Sequence, residues 1–326
     1  MKEDGGTAAR VSVVMCTCNG ERYLREQMDS ILAQDLPPCE IVVQDDRSDD
    51  GTWEMLKAYR DTRPGLFKLY RNAERLGFNR NFHTAILRAT GDFIALADQD
   101  DIWFPSKLRL QVEAIGGADV CFTDYYTDPE YRLPLSVRVS PRTDIEHLLF
   151  YDCTPGHTML LRHGFAQGIE RWNYDIYYDW WLSFHALMGR GLVKVDEPLD
   201  WHRHHAASAT THIYRKGFWE AVEHPTWQPY ALGWLHRLHL QRKRNWCFFY
   251  GYLAENLDPA RHPVASRMAA LMNRRGPLAV LRLCLLCGKY YDRVYPGRPT
   301  GWKGRMRGFF YPFISAYGND LFKLEK

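Results

Sequence analysis

The chain has 326 residues, 46% of them hydrophobic and 25% charged, with a net charge of +3. That balance fits a globular chain and excludes a disordered, collagen-like or low-complexity one. No apolar run approaches the roughly 18 to 20 residues of a membrane-spanning helix. The best candidate, 278–287, is broken by Arg282, and the polar residues 1–10 lack the apolar core of a signal peptide. The expected location is therefore the cytoplasm. The eight Cys fit a reducing compartment, and Cys284-x-x-Cys287, alone in an apolar segment, reads as two buried thiols rather than half a zinc site.

Taken in order, residues 11–16 form an apolar strand, and 21–34 a helix with Tyr23, Leu24, Met28, Ile31 and Leu32 on one stripe. A second strand, 40–43, leads to Asp45-Asp46, followed by a helix at 52–60 and an extended piece at 67–70. A helix at 78–88, a strand at 93–97, a helix at 105–114 and a strand at 119–123 complete the series. Strands alternating with crossover helices predict an α/β fold with a mostly parallel sheet and ligands at the strands' carboxyl ends. Neither a G-x-G-x-x-G after the first strand nor a G-x-x-x-x-G-K-[ST] is present, which disfavours ordinary dinucleotide binders and P-loop enzymes. The Pro-containing stretch 125–150 is expected to be an irregular loop over the site. Residues 174–188 form an aromatic helix, 192–196 a strand and 198–203 an extended return. From 214 onward helical patterns dominate, so a catalytic domain over 1–212 and a helical region over 213–326 are expected.

Chemistry concentrates at Ala97-Asp98-Gln99-Asp100-Asp101-Ile102-Trp103. Three carboxylates at the end of a buried strand repel one another and lose solvation. A divalent cation among them offsets that cost, and hard oxygen ligands suit Mg2+ or Mn2+. The bland alternative is a solvated acidic turn capping the next helix. A second carboxylate, Asp179, lies between Tyr177-Tyr178 and Trp180-Trp181, aromatics that bury it and offer a sugar platform. His202, His204 and His205 lie on an extended segment whose neighbouring side chains face opposite ways, which argues against a zinc cluster.

The blocks fall in an order that resembles the family 2 glycosyltransferases, and their rhamnosyltransferase-like branch in particular. Val13 to Gly20 resembles the opening V-x-x-T-x-N strand-turn, and Val42 to Thr52 the V-D-D-x-S-x-D-G-T segment. Leu76 to Phe82, Ala89 to Trp103, Gly156 to Leu160, Tyr178 to Leu182 and Asp196 to His205 continue the match. The resemblance covers about residues 11–210 and implies a GT-A fold, a nucleoside-diphosphate sugar donor, a divalent metal (Mg2+ or Mn2+) and inverting transfer. It implies that Thr17, Asn19 and Asp46 hold the nucleotide and that Arg80 meets the diphosphate, although a solvated helix-face arginine is equally ordinary. Asp100 is then the direct metal ligand, and Asp98 contacts ribose, the metal or its water. Asp101 orients the sugar or caps the following helix. Asp179 is the general base, with Asp175 as the alternative. His205 is a metal or phosphate contact, although His204 stands where the family usually has Gln, which leaves the choice of histidine open.

Residues 261–326 lie outside that match and carry 13 Lys or Arg against three acids, a net +10, while the remainder carries 29 basic and 36 acidic residues. Basic and aromatic residues alternate around Trp302, Lys303, Arg305, Arg307, Phe309 and Phe310. This region reads either as an element docking on an anionic membrane or as packed helices with a solvated basic face; no nucleic-acid motif supports a nucleic-acid partner. The functional expectation is transfer of a sugar, rhamnose being the branch's donor, onto a glycan or lipid-linked acceptor in bacterial surface polysaccharide synthesis. Two competing readings are a sugar-nucleotide or glycan-binding module without catalysis, and a Mg-dependent phosphatase. The phosphatase chemistry wants its Asp after the first strand, whereas here the motif follows the fourth.

Overall fold

A computed structural model describes residues 9–128, 136–204, 227–295 and 300–318. The first half builds outward from strand β1 (Val11–Thr17), whose apolar run is almost wholly buried, as a central parallel strand requires. Helix α1 (Leu24–Leu32) leads to β2 (Glu40–Asp45), α2 (Thr52–Thr62) to β3 (Phe67–Arg71), and α3 (Phe78–Ile86) to β4 (Phe93–Ala97). Both β2 and β4 pair parallel with β1, and β3 pairs parallel with β2.

After β4 come β5 (Ile102–Trp103), α4 (Lys107–Ile115), β6 (Val120–Thr127), β7 (Val137–Val139), α5 (Ile145–Leu148), β8 (Leu160–Arg162), α6 (His163–Gln167), α7 (Tyr178–Met188) and β9 (Leu192–His202). The nine-stranded sheet runs β3-β2-β1-β4-β8-β6-β9-β5, with β7 on β6. Antiparallel steps at β4–β8, β8–β6 and β9–β5 are spliced into the parallel frame. One face buries Val13, Met15, Met28, Ile31, Ile41, Val43 and Leu56 in a continuous core.

Several local expectations need correction. The first helix starts at Leu24, not 21, because 21–23 form a turn. The aromatic helix starts at Tyr178 rather than 174. Residues 125–150 are not one irregular loop: β6 runs to Thr127, β7 pairs with it, and α5 forms at Ile145–Leu148. The expected strand and return over 192–203 are a single strand, β9. Its Pro198 stands at a register shift against β6, where a residue without an N–H is tolerated.

By contacts the chain divides into two units: 1–141 with 154–174 and 181–204, and 142–153 with 175–180 and 205–326. The sheet lies in the first. The expected boundary near 212 falls outside the described residues. The second unit is helical: α8 (Trp227–Leu240), α9 (Arg244–Asn256), α10 (Pro263–Asn273), α11 (Pro277–Lys289), α12 (Tyr291–Val294) and α13 (Gly301–Gly318). Pro263 and Pro277 open their helices, where a missing N–H costs nothing. Its core contains Trp246, Phe249, Tyr250, Met268, Met272, Leu283 and Tyr311, together with the expected buried thiols of Cys284 and Cys287.

Candidate active site

Parallel pairing brings the carboxyl ends of β1, β2 and β4 to one edge, with Thr17 opposite Asp45 and Met15 opposite Ala97. At that edge the first two loops lock each other. Asp45, fully buried, accepts the Thr17 hydroxyl (2.9 Å), the Ser48 hydroxyl (2.5 Å) and the Ser48 amide (3.0 Å), and pairs with Arg71 at 3.2 Å. Asn19 sits in the left-handed region at φ 53°. Its amide donates to Ser48 Oγ (2.9 Å) and its Oδ1 accepts the Asp49 amide (2.8 Å). The side chains of Thr17 and Asn19 therefore shape the loops at the strand ends.

Asp46 is buried and accepts hydrogen bonds from Asn72 Nδ2 (2.7 Å) and from the amides of Leu76 (2.7 Å) and Gly77 (2.9 Å). It thereby fixes the Leu76-Gly77 turn beside the strand ends. Arg75, from that turn, pairs with exposed Asp49 at 2.6 Å. Arg80 lies over the Tyr174 ring at 4.7 Å, and Asn79 Nδ2 donates to the Tyr174 carbonyl at 2.8 Å.

The acidic turn after β4 is held from both sides. Gln99 Oε1 accepts the Cys18 amide (2.9 Å) while its Nε2 donates to the Cys18 carbonyl (3.1 Å), tying the turn to the end of β1. Gly20 lies so close that any Cβ there would collide with Gln99 Oε1. Asp98 is half-buried and Asp100 is buried. On the other side, Arg203 Nε donates to the Asp100 carbonyl at 3.0 Å, and the same guanidinium pairs with Glu26.

Asp101 does not cap the following helix, whose N-terminus has no side-chain hydrogen bond. It is fully buried and accepts His202 Nδ1 (2.9 Å) and the Arg203 amide (3.1 Å). Burial opposes its ionisation, but the charges of His202 and His157 and these hydrogen bonds prevail and hold its carboxyl well below the usual range. Burial likewise opposes charging of His202, yet Asp101, with Asp100 and Asp98 farther off, pushes it up to about 9. The cluster continues inward. Buried Lys107 donates to the His157 carbonyl (2.7 Å) and pairs with buried Asp200, which His157 Nδ1 approaches at 3.2 Å. The rings of His157 and His202 stack at 4.4 Å.

Asp101, His157 and His202 place possible metal-binding atoms within 4.8 Å of one another. The cluster is held by charge and hydrogen bonds: His202 Nδ1 faces Asp101 and His157 Nδ1 faces Asp200, while the buried His157 Nε2 has no hydrogen-bond partner among the described residues. It is an ion-paired core that staples the end of β9 to the acidic turn. Sequence reading passed over Gln99, His157, Lys107, Asp200 and Arg203. His157 and Gln99 lie inside the recognised blocks, but their partners stand 43 and 81 positions away.

Asp179 lies in the first turn of α7, half-buried, with its Oδ1 accepting the Trp180 amide at 2.9 Å. Asp175 is exposed. The four aromatics around Asp179 are buried, so they serve the core rather than an open platform. Within the second unit Trp180 donates its indole N–H to the Leu148 carbonyl (2.7 Å), and within the first Trp181 donates to that of Arg171 (2.9 Å). His205 lies outside the described residues.

The fold can be set beside solved structures. The crystal structure of S. aureus TarS 1-349 in complex with UDP-GlcNAc aligns at TM-score 0.57 and 17% identity, covering 94% of this chain and 89% of that one. Mannosyltransferase PcManGT from Pyrobaculum calidifontis, in complex with GDP-Man and Mn2+, aligns at 0.52 and 17% identity, over 95% and 86%. The architecture is that of the GT-A glycosyltransferases. The model of glycosyl transferase family 2 matches residues 12–169, just under half of the chain.

An uncharacterised protein of Mycobacterium tuberculosis is 28% identical over 234 residues, 66% of this chain and 65% of that protein. The dTDP-rhamnosyl transferase RfbG of Shigella flexneri is 26% identical over 157 residues, 45% of this chain and 53% of the relative. WfgD of Escherichia coli, a UDP-Glc:alpha-D-GlcNAc-diphosphoundecaprenol beta-1,3-glucosyltransferase, is 33% identical over 112 residues, 34% of this chain and 43% of the relative. The chain thus spans between about two fifths and two thirds of the length of these relatives.

Proposed function

We propose that this protein is an inverting, metal-dependent glycosyltransferase that moves a sugar from a nucleoside diphosphate to a glycan or lipid-linked acceptor in bacterial surface polysaccharide synthesis. The observation that carries the reading is the stapled acidic turn: Asp98 and Asp100 at the end of β4, with the loops after β1 and β2 locked at the same sheet edge. Relatives named for transfer of rhamnose and of glucose to a lipid diphosphate support the class, and dTDP-rhamnose is the donor we favour.

Two hard carboxylate donors one residue apart fit Mg2+ or Mn2+, with Asp100 as the direct ligand, Asp98 beside it and His205 as a further contact. A bound cation there would offset charge building on the departing diphosphate. In this reading Thr17, Asn19 and Asp46 form the walls of the nucleotide pocket, and Arg80 supports the diphosphate side. Asp179 removes the proton from the acceptor hydroxyl as that oxygen attacks the anomeric carbon. One base opposite the leaving group gives a single displacement and inverted configuration.

Binding of UDP, dTDP and GDP sugars with and without Mn2+, followed by calorimetry, tests the site. Asp100→Ala should fold normally and lose the metal-dependent part of the affinity. Equal binding by wild type and variant in both conditions would remove Asp100 from its role.

A further inference from the structure

The second unit leaves an uncommon amount of apolar surface uncovered. Of the 13 large hydrophobic side chains exposed among the described residues, ten lie on α8, α11 and α13. Trp302 is 72% exposed and Trp227 70%, values that leave most of each indole in water. On α11, Leu278, Leu281 and Leu285 recur at helical spacing, opposite buried Leu283, Cys284 and Cys287. On α13, Trp302 and Met306 stand one turn apart. The two stripes meet where Leu285 and Lys289 join Trp302, Arg305 and Met306 around a groove of about 550 Å3. Gly288 lets the helices close beneath it, since a Cβ there would lie 3.2 Å from the Arg305 carbonyl.

The charge on this surface has one sign. None of α8, α11 and α13 contains an Asp or Glu, while Arg282, Lys289, Lys303 and Arg305 are all exposed. Pairing this face with a second copy of itself would bring those cations together at cost. An anionic bilayer supplies what both sets of groups lack: phosphates for the basic residues, an interfacial layer for tryptophan and an apolar interior for Leu and Met. Among the described residues no helix is long and apolar enough to cross a membrane, and an apolar stripe flanked by basic residues suits a helix lying along the interface.

We propose that the α11/α13 face, with Trp302, Met306 and Leu285 as anchors and Lys289, Lys303 and Arg305 as phosphate contacts, docks the protein onto an anionic lipid surface. The inference uses no residue of the nucleotide site and does not rest on the sugar-transfer reading.

Flotation of the full chain with vesicles of equal parts phosphatidylglycerol and phosphatidylcholine tests it. Wild type should float with these vesicles, stay behind with phosphatidylcholine alone, and be released as NaCl rises from about 0.05 to about 0.5 M. Lys303→Gln/Arg305→Gln should weaken partition by about 25-fold, roughly fivefold per basic residue. Leu285→Ser/Trp302→Ser should weaken it at least about tenfold, because the anchoring apolar area is lost. All these side chains are exposed, so each variant should keep the wild-type melting transition and Mn2+-nucleotide affinity. Those two readouts separate failure of docking from misfolding and from failure of the sugar-transfer reading. Equal flotation on neutral vesicles, unchanged flotation of both variants, or no flotation by wild type would overturn the proposal. So would a concentration-dependent dimer abolished by Leu285→Ser/Trp302→Ser, which would assign the face to a second copy.

Discussion

Replacing Asp101 with Asn removes one charge from a buried cluster in which Asp101 and Asp200 face Lys107 and His202. His202, pushed up to about 9, is charged at neutral pH and would keep a dipole in place of an anion. Removing one partner of a buried pair costs about 3–5 kcal/mol, because the remaining charge stays desolvated. The Asn oxygen still accepts one of the two hydrogen bonds, which places the expected loss near the lower end, about 3 kcal/mol. The amide of Arg203 reports it directly, since it donates to Asp101 Oδ1 at 3.1 Å. Its hydrogen exchange should accelerate about 100-fold or more, at about 1.4 kcal/mol per tenfold. Because Arg203 also grips the Asp100 carbonyl, Mn2+-assisted nucleotide affinity should fall about 10- to 100-fold, as for other groups that orient metal ligands. The double variant Asp101→Asn/His202→Gln should recover part of the stability by removing the stranded cation. Exchange at Arg203 slowed or unchanged in Asp101→Asn, with no coupling to His202, would refute the stapled-turn account.

Two further outcomes follow from the frame around the site. Glu40 is buried, which opposes its ionisation, but Lys68, the hydroxyls of Ser12 and Thr90 and the Thr90 amide bring its carboxyl down to about 2. Its contribution is therefore present above about pH 4.5 and lost as pH falls toward 2, so Glu40→Gln should cost about 1–3 kcal/mol at pH 7 and converge with wild type near pH 2 to 3 in urea titrations; a constant difference across that range would contradict the assignment. Gly20→Ala should push Gln99 off the Cys18 backbone and weaken nucleotide binding at least about tenfold while the melting transition moves little, and unchanged calorimetric affinity would show that Gln99 does not hold the turn.

The alternating first half was legible because its strands are long enough to show their pattern: β1, β2 and β4 are continuous apolar runs separated by helical stripes. What escaped was short or non-local. Ile102–Trp103 is two residues long and exists as β5 only through pairing with Asp200 and Trp201, far along the chain. Pro198 suggested a break, whereas a register shift against β6 absorbs it and β9 runs on. The acidic turn is visible as a run of carboxylates, but the pairing that buries Asp101 is not, because its cation, His202, comes 101 positions later. Burial of Trp180 and Trp181 was equally invisible, since an aromatic cluster beside a carboxylate looks the same in sequence whether it lines a cleft or fills a core.

The claim most exposed to test is that Asp179 serves as the base in a sugar transfer whose donor is bound elsewhere, by Asp98, Asp100 and the loops after β1 and β2. Release of nucleoside diphosphate from a panel of UDP, dTDP and GDP sugars, measured with Mn2+ and a lipid-diphosphate saccharide acceptor, should proceed for wild type with inversion at the anomeric carbon. In Asp179→Asn it should fall by about 10²- to 10⁴-fold while calorimetric donor affinity persists. Near-wild-type turnover in Asp179→Asn would move the base to Asp175 or beyond, and a product of retained configuration would contradict the single-displacement account.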